Sequence, residues 1–360
     1  MTKVTSLTAR PVLVPMRRPL QTAGGAVSEA PLVLIDIGND AGMVGRSYVF
    51  CYTSAALRAM TALLVDFSDW VIGAELSPFV IEEGIQKRLR LLGGQGLTGM
   101  ALSGIDMALW DLLAKTQNLP LATLLGGHPI ELPVYNSRGL GIMGPEKAAA
   151  EAKELVAEGY DAIKVRLGYP TAKDDVAVVA AVRAAVGDDI RLFSDYNQSL
   201  SVTEARVRTI ALKDSTLDWI EEPVRFDDYD GHAAVRAVSE IPIQTGENCW
   251  GPHEVAKAFK AGACDYFMPD AGKIGGVTGW MRSVALAEAI GMPISSHLYP
   301  EFSSHLLCVT PTRHWLEYVD WAEPILAQTM QVSNGKTQPL DGPGAGLEWD
   351  EKAVEIYVFS

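Results

Sequence analysis

The amino-acid sequence predicts an α/β protein in which a closed barrel of parallel strands follows a smaller α+β domain. Three features indicate this fold. Strand-like alternation occupies residues 1 to about 60, and a helical pattern continues to residue 125. Eight short apolar segments then alternate with amphipathic stretches, at about 25 residues per unit. Eight such units favour a closed barrel over an open sheet.

The first domain is predicted to span residues 1–127. Three segments read as a small strand meander: VTSLTARPVLVP, PLVLIDIGN and, after the turn at residues 40–42, GMVGRSYVF. Apolar residues at helical spacing follow in the next segment, namely Met100, Ile105, Ala108, Leu109 and Leu112. This part of the chain is therefore expected to be α+β.

The barrel is predicted over residues 128–320. Its strands are LPVYNS, AIKVRL, IRLFSDYN, LDWIEEP, IPIQTGEN, YFMPD, PISSHL and HWLEYV. Residues 321–360 contain a Gly/Pro-rich turn, LDGPGAGLEW, and a final strand-like segment, VEIYVFS. No barrel helix is left to pair with this segment, so we expect it to return to the N-terminal domain.

Composition narrows the functional classes. Apolar residues make up 48% and charged residues 21%, as in globular proteins, and the net charge of −14 argues against nucleic acid and favours a small-molecule partner. The 4 cysteines form no Cys-x-x-Cys pair, so neither a disulfide framework nor a thiolate zinc site is expected, and a reducing cytoplasm is the expected location. We recognise no signal peptide and no long apolar run, so membrane insertion is not expected.

One ionisable residue stands at or just past the end of almost every predicted strand. In chain order these residues are Lys164, Asp195, Glu221, Glu247, Asp270, His297 and Glu317. The carboxyl ends of the strands of a parallel barrel open on one rim, where the active sites of this fold lie. A charged residue near a loop is commonplace at any single position, but seven in register predict one site at the barrel mouth.

Three of these residues suit a metal ion. Asp195, Glu221 and Glu247 lie on neighbouring predicted strands, and hard carboxylate oxygens completed by water and substrate are what Mg²⁺ accepts. Glu222 is interpreted as a solvated or salt-bridged neighbour and not as a ligand, because adjacent strand residues face opposite ways.

The remaining polar residues suggest acid–base chemistry. A carboxylate such as Asp270 on one nitrogen of His297 would fix the tautomer and raise the basicity of the other nitrogen, as in a general base. Lys164 offers a cation or, with a lowered pKa, a proton acceptor. Arg166, two residues further on, is expected to point the same way.

These residues resemble the mandelate racemase branch of the enolase superfamily. The resemblance covers nearly the whole chain and rests on GIDMALWDLLAKTQNLPLATLLGG in the first domain and on DYNQS, WIEEP, GEN, PDAGKIGGVTGW, SSHL and HWLE in the barrel. It implies a modified (β/α)₇β TIM barrel under an α+β capping domain that the C-terminal segment completes. It also implies a homo-oligomer, an octamer or smaller.

The resemblance further implies roles for individual residues. Asp195, Glu221 and Glu247 would hold Mg²⁺, the His297/Asp270 dyad would be the base, and Glu317 would be a general acid on the substrate carboxylate. Asn197 and Ser137 would lie near the substrate. The shared chemistry is removal of the proton α to a carboxylate.

Arg166 departs from the pattern of the racemases in this branch. Those racemases carry Lys-x-Lys, the second lysine being the base for one enantiomer, whereas this chain reads Lys164-Val165-Arg166. A guanidinium is rarely a base, so a one-base reaction fits better. Carboxylate binding is then the expected role of Lys164.

The capping segments suggest the kind of substrate. Residues 20–31 are expected to be a flexible lid with Gly24-Gly25 supplying its mobility, next to the turn at residues 50–52. An apolar, partly aromatic cap over the mouth would consist of Leu20, Val27, Phe50, Tyr52 and Leu298. Such a cap favours an aryl or alkyl 2-hydroxy acid over a sugar acid, although Arg138 and Glu29 add charge nearby.

Three functions are therefore open. The first is a Mg²⁺-dependent racemase-like isomerase of an aromatic or apolar 2-hydroxy acid, and the second is an acid-sugar dehydratase that uses His297 as single base and acid. The third is a catalytically silent homologue that binds a carboxylate without turnover. A muconate-type cycloisomerase is disfavoured, because that branch has a lysine where this chain has Asp270.

Overall fold

The computed structural model describes residues 2–359. The chain begins with a three-stranded antiparallel sheet, in which the central strand is the second. Its strands are β1 (Val4–Thr22), β2 (Gly25–Asn39) and β3 (Val44–Phe50). The segment expected to be a flexible lid is instead the end of the β1–β2 hairpin, where Leu20 pairs with Val27 and Gly25 takes a positive φ of 132° in the turn.

Four helices complete the first part of the chain: α1 (Leu57–Val71), α2 (Pro78–Leu89), α3 (Gly96–Thr116) and α4 (Leu121–Leu124). Every residue of α3 from Gly99 to Leu112 is buried, so the predicted apolar stripe is only part of an all-round apolar surface. The cause is that α3 packs against the sheet on one side and against a barrel helix on the other. α3 is long and apolar enough to span a membrane, but most of it is buried in the fold, as a core helix would be.

The barrel contains seven parallel strands in the order β10-β4-β5-β6-β7-β8-β9. They are β4 (Leu132–Asn136), β5 (Ala162–Arg166), β6 (Arg191–Asp195), β7 (Trp219–Glu221), β8 (Ile243–Thr245), β9 (Tyr266–Phe267) and β10 (Leu316–Tyr318). The helices that connect them are α5 (Pro145–Ala157), α6 (Ala172–Val186), α7 (Val202–Ala211), α8 (Tyr229–Arg236), α9 (Pro252–Ala261), α10 (Gly276–Ile290) and α11 (Pro300–Cys308).

The prediction of a regular strand over residues 293–298 is wrong. Isolated bridges join Ile294 to Phe267 and Arg313, and His297 to Asp270, and these bridges close the barrel between β9 and β10. The backbone turns left-handed at Leu298, directly before α11, so the segment is too short for a continuous ladder.

The C-terminal segment contacts both parts of the chain. β11 (Lys336–Thr337) pairs antiparallel with β4, whereas Trp349 donates from its indole nitrogen to Asp36 of the first sheet. The predicted final strand is wrong: residues 351–356 form α12 (Glu351–Ile356), because the side chain of Asp350 caps its N-terminus. Among the described residues of the predicted final strand, strand-like pairing is limited to a bridge between Val358 and Val12 of β1.

A buried carboxylate joins the two parts of the molecule. α10 begins after a glycine that has no side chain to cap it, and Asp106 of α3 supplies the missing acceptor. The backbone nitrogen and the hydroxyl of Thr278 both donate to Asp106, at 2.9 and 2.6 Å, and Trp110 donates to the same hydroxyl. This contact fixes the capping domain over the barrel.

Aromatic rings fill the barrel one layer below the strand ends. Phe193 and Trp219 stack with their centroids 3.4 Å apart, and Tyr135 meets both edge-on. Nearer the amino ends of the strands, Trp315 and His314 help line a cavity of about 320 Å³. The aromatic layer therefore lies between this cavity and the carboxyl ends of the strands.

Candidate active site

The structure brings the seven predicted ionisable residues together at the carboxyl ends of the barrel strands. Each is at most 9% exposed. They are Lys164, Asp195, Glu221, Glu247, Asp270, His297 and Glu317. The strand register explains the convergence, since Asp195 and Glu221 are paired residues that end two adjacent strands. The mouth is a buried polar cluster directly above the aromatic layer.

Lys164 lies among three carboxylates. Its Nζ is 2.7 Å from Glu221, 2.8 Å from Glu317 and 3.7 Å from Asp195. Burial alone would lower the pKa of Lys164, but these carboxylates raise it above its ordinary value. In this arrangement Lys164 is a cation, and its role as a proton acceptor stays a prediction.

His297 and Asp270 form a hydrogen-bonded pair, with 2.6 Å between Nδ1 and Oδ2. The other oxygen of Asp270 accepts from the backbone nitrogen of Gly272, so this carboxylate is held in place. The other ring nitrogen, Nε2, lies 3.2 Å from Glu247 at the centre of the mouth. Burial opposes protonation of the ring, but Glu247, Glu317 and Asp270 raise the pKa of His297 to about 9.

Each of the three predicted metal ligands contacts a basic side chain of the same chain. Lys164 lies between Asp195 and Glu221, and His297 contacts Glu247. As placed, the His, Cys, Asp and Glu side chains within residues 2–359 form no group of three that could hold a metal ion.

The chemistry of the donor set nevertheless fits a divalent cation. Burial raises the pKa of Glu221 to about 8, even though Lys164 opposes this shift, and burial also raises the pKa of Asp195. Both shifts arise mainly from the lost hydration of the carboxylates, with a further contribution from their acidic neighbours. A bound cation would offset this cost, and carboxylate oxygens are suitable donors for Mg²⁺.

Arg166 does not face the centre of the mouth as a free base. Its Nη1 donates to the carbonyls of Ser137 and Gly139, at 2.9 and 3.0 Å, and its Nη2 donates to the Ser137 hydroxyl. The guanidinium therefore anchors the loop after β4, and Ser137 is held beside it.

Glu317 and Asn197 are both fixed by local hydrogen bonds. Glu317 accepts from Lys164 and from the backbone nitrogen of Leu298. Although burial opposes ionisation, Lys164 and His297 hold the pKa of Glu317 below its ordinary value. A general acid must carry a proton, so that role of Glu317 stays a prediction. Asn197 donates to Asp195, while its buried side-chain oxygen has no partner.

The predicted capping residues fall into two groups. Tyr52 and Leu298 are at the mouth: the Tyr52 ring lies 4.3 Å from the Lys273 ammonium, and Leu298 follows His297 directly. Leu20 and Val27 belong to the hairpin, whose residue 21 accepts a hydrogen bond from residue 142 after β4. That contact holds the hairpin end on the loop that Arg166 anchors.

Other side chains change the expected character of the cap. Phe50 packs against Tyr52 and against Trp321, which the sequence did not single out, with centroids 4.6 and 4.9 Å apart. Arg138 is bound by Asp320 and Glu158, so its charge is already balanced. The cap beside the mouth is therefore more aromatic than the sequence indicated.

Glu222 was expected to be a solvated or salt-bridged neighbour and not a metal ligand; the first part is wrong, and the second stays a prediction. This residue is 1% exposed, and no ion pair involves it among the described residues. It follows the last residue of β7 with a φ of 33°, which turns its side chain toward Asn248 and not into solvent. Asn248 and Lys273 complete this group. Neither was predicted, because their role becomes visible only from the side chains that they contact in the folded protein.

Family models match both parts of the chain. A model described as enolase C-terminal domain-like matches residues 147–353. A model of the mandelate racemase / muconate lactonizing enzyme N-terminal domain matches residues 4–126. These matches confirm the predicted family and the predicted capped, modified TIM barrel. The domain boundaries at residues 127/128 and 320/321 stay predictions.

Individual relatives agree. L-talarate/galactarate dehydratase from Salmonella typhimurium is 29% identical over 91% of this chain and 82% of its own length. The 3,6-anhydro-alpha-L-galactonate cycloisomerase from Streptomyces coelicolor is 31% identical over 91% of both chains. An enolase from Bradyrhizobium complexed with magnesium and mandelic acid is 44% identical, with a TM-score of 0.96 over 100% of this chain and 99% of that one.

These relatives are enzymes, and their names span lyase and isomerase reactions. Their similarity extends over both the capping domain and the barrel. The chain belongs to the mandelate racemase / muconate lactonizing enzyme family of the enolase superfamily.

Proposed function

We propose that this protein is a Mg²⁺-dependent lyase that removes the proton α to the carboxylate of a 2-hydroxy acid and expels a β-hydroxyl. The observation that carries the proposal is the placement of the three basic side chains at the mouth. His297 directs Nε2 to the centre, where it contacts Glu247, and has Asp270 behind Nδ1, whereas the Lys164 ammonium and the Arg166 guanidinium are held by other groups.

His297 is the base of the proposed reaction and would act in its neutral form, once Mg²⁺ balances the charge of Glu247, which helps to raise the pKa of the ring to about 9. Asp270 holds Nδ1, so that Nε2 is the atom that receives the α-proton. The charge that develops on the substrate is too unfavourable for a base alone, so it must be balanced by groups placed beforehand. Mg²⁺ held by Asp195, Glu221 and Glu247 would supply positive charge next to the substrate carboxylate. Lys164 contributes a fixed cation on the same side.

Dehydration needs no second base. His297 takes the α-proton as the carbon–hydrogen bond breaks, and the same proton then passes to the β-hydroxyl as its carbon–oxygen bond breaks. Water leaves, and the enol that remains becomes a 2-keto acid. The names of two relatives, a dehydratase and a cycloisomerase of sugar acids, support substrates that carry several oxygen atoms.

The proposal is tested by incubating the Mg²⁺-loaded protein in D₂O with a panel of 2-hydroxy acids, with and without a β-hydroxyl, and following the reactions by proton NMR. We expect a 2-keto acid from one or more β-hydroxy substrates. We also expect exchange of the α-hydrogen in only one enantiomer of acids that lack the β-hydroxyl. Binding of these acids without exchange or water loss would instead identify a catalytically silent homologue.

Racemisation of an aromatic 2-hydroxy acid is the second candidate. The aromatic group around Phe50, Tyr52 and Trp321 and the Bradyrhizobium enolase complexed with mandelic acid favour it. Racemisation requires a proton acceptor on the second face of the substrate. Arg166 could take that position only by giving up its hydrogen bonds to Ser137. Exchange of the α-hydrogen of both mandelate enantiomers in the same assay would support racemisation over dehydration.

A further inference from the structure

A single amide side chain joins two buried carboxylates at the edge of the mouth. The Nδ2 of Asn248 donates to Glu247 at 2.9 Å and to both oxygens of Glu222, at 2.9 and 3.2 Å. Glu247 is one of the three residues assigned to Mg²⁺ above. The orientation of its carboxylate therefore depends on which way the amide of Asn248 faces.

Lys273 reinforces that orientation. Its Nζ lies 2.8 Å from Oδ1 of Asn248. An ammonium group has only donors, so the amide oxygen must face Lys273, and the amide nitrogen must then face the two carboxylates. Without this donor the amide oxygen would lose that partner, and the Asn248 side chain would be held less firmly against Glu247 and Glu222.

The capping domain holds Lys273 from the other side. The ammonium lies 4.3 Å from the centroid of the Tyr52 ring, within the range of a cation–π contact, and Lys273 is itself only 7% exposed. Tyr52 lies two residues past the end of β3. It takes a left-handed φ of 59°, which is uncommon for a residue with a bulky side chain. The contact therefore runs from the capping domain through Lys273 and Asn248 to Glu247.

We propose that Lys273 and Asn248 are positioning residues that orient Glu247 for Mg²⁺, and that Tyr52 links this orientation to the capping domain. The inference rests on the proposed function only in taking Mg²⁺ as the bound ion. It reassigns Tyr52, which the sequence suggested as a substrate contact, to a role that acts through Lys273.

Two roles of Lys273 predict opposite effects on metal affinity. If Lys273 were only a nearby positive charge, its removal would relieve repulsion and tighten Mg²⁺ binding. If it orients Asn248, its removal weakens binding, because partners of metal ligands typically affect affinity about 10- to 100-fold. The sign of the change therefore distinguishes a positioning role from a simple charge.

The test is a calorimetric titration of Mg²⁺ into the full-length protein without substrate. We expect Lys273→Met to raise the dissociation constant about tenfold, and Lys273→Arg, which keeps a donor cation, to raise it less. Tyr52→Leu should raise it about two- to threefold, whereas Tyr52→Phe, which keeps the ring, should match the wild type. The double variant Lys273→Met/Tyr52→Leu should bind no more weakly than Lys273→Met alone.

The outcomes separate this inference from the proposed function. If the wild type does not bind Mg²⁺, the proposed function fails. If the wild type binds and Lys273→Met binds equally or more tightly, the positioning role is overturned. Thermal unfolding without Mg²⁺ shows whether each variant is folded, and Tyr52→Leu, at a 41% exposed position, keeps the test decisive if Lys273→Met does not fold.

Discussion

The two halves of the barrel interior differ in what their side chains do. At the carboxyl ends of the strands, Lys164, His297 and five carboxylates are buried within reach of one another. One layer lower, the same strands contribute Phe193 and Trp219, which stack face to face. β6 and β7 each supply one residue to the upper layer and one to the lower layer, because alternate residues of a strand point to the same side.

The difference shows where stability and function are located. Rings in the lower half remove apolar area from water, at roughly 25 cal/mol per Å². Charges in the upper half lose hydration, and the pKa of about 8 for Glu221 reflects that cost. We therefore expect substitutions at the mouth to affect the reaction rate and substitutions in the aromatic layer to affect the free energy of unfolding.

The largest expected effect is at the mouth. His297→Asn removes the proposed base but keeps a side chain that can hydrogen-bond to Asp270, so α-proton exchange should fall by about 10³-fold. The melting temperature should change little. Exchange is measured by NMR in D₂O and the melting temperature by thermal unfolding. Exchange at the wild-type rate would show that another residue is the base.

The next effect is expected in the aromatic layer. Phe193→Ala leaves a cavity beside Trp219, where Phe193 is fully buried, and should lower the free energy of unfolding by about 3–5 kcal/mol. Urea unfolding measures the change. Phe193→Leu is the matched control and should cost less, because it fills more of the space. If Phe193→Ala left stability unchanged, the division between the two halves would be incorrect.

A pH-dependent effect is expected near the amino ends of the strands. Burial lowers the pKa of His314 to about 4 from its ordinary 6.5. Between these values the unfolded chain binds a proton that the folded protein does not, so the free energy of unfolding falls as the pH falls, by at most about 1.4 kcal/mol per pH unit.

His314→Gln removes this proton linkage. Urea unfolding of the wild type and the variant between pH 7 and pH 4 should show the variant gaining stability relative to the wild type as the pH falls. A constant difference across this range would mean that His314 does not titrate differently in the folded and unfolded states.

The smallest effect is expected at the rim of the same end. Arg191, whose side chain is 64% exposed, forms an ion pair with Asp218. Exposed pairs contribute little, so Arg191→Met should change the free energy of unfolding by less than about 1 kcal/mol and should not affect catalysis. Denaturant unfolding at low and high salt checks this, and a loss above about 2 kcal/mol would show that the aromatic layer depends on the pair.

Much of the barrel was predictable because strand ends carry a recognisable pattern. Apolar segments ending in Asp195 and Glu221 gave both the strands and their common rim, and the structure brings these residues together. The prediction was wrong where tertiary contacts decide the local conformation. Residues 293–298 form bridges but no regular strand, and residues 351–356 form a helix capped by Asp350.

The polar group beside the mouth was not predictable. Glu222 looked like a solvated neighbour, because strand alternation points it away from Glu221. Its positive φ of 33° turns it instead toward Asn248, and nothing in the order of residues reports a backbone dihedral. Lys273 likewise contacts Tyr52, which is more than 200 residues earlier in the chain, so its role could not be read from its own sequence neighbours.

The order of residues by itself determined the family, the alternation of strands and helices, and the ring of ionisable groups, because these follow from periodicity and motif spacing. Only the folded chain decided which of those groups are available. Whether Arg166 is a base or an anchor depends on the carbonyls it meets, and whether Lys164 is neutral or charged depends on the carboxylates around it. Proton affinity and hydrogen bonding are properties of a three-dimensional environment, and residue order alone does not contain them.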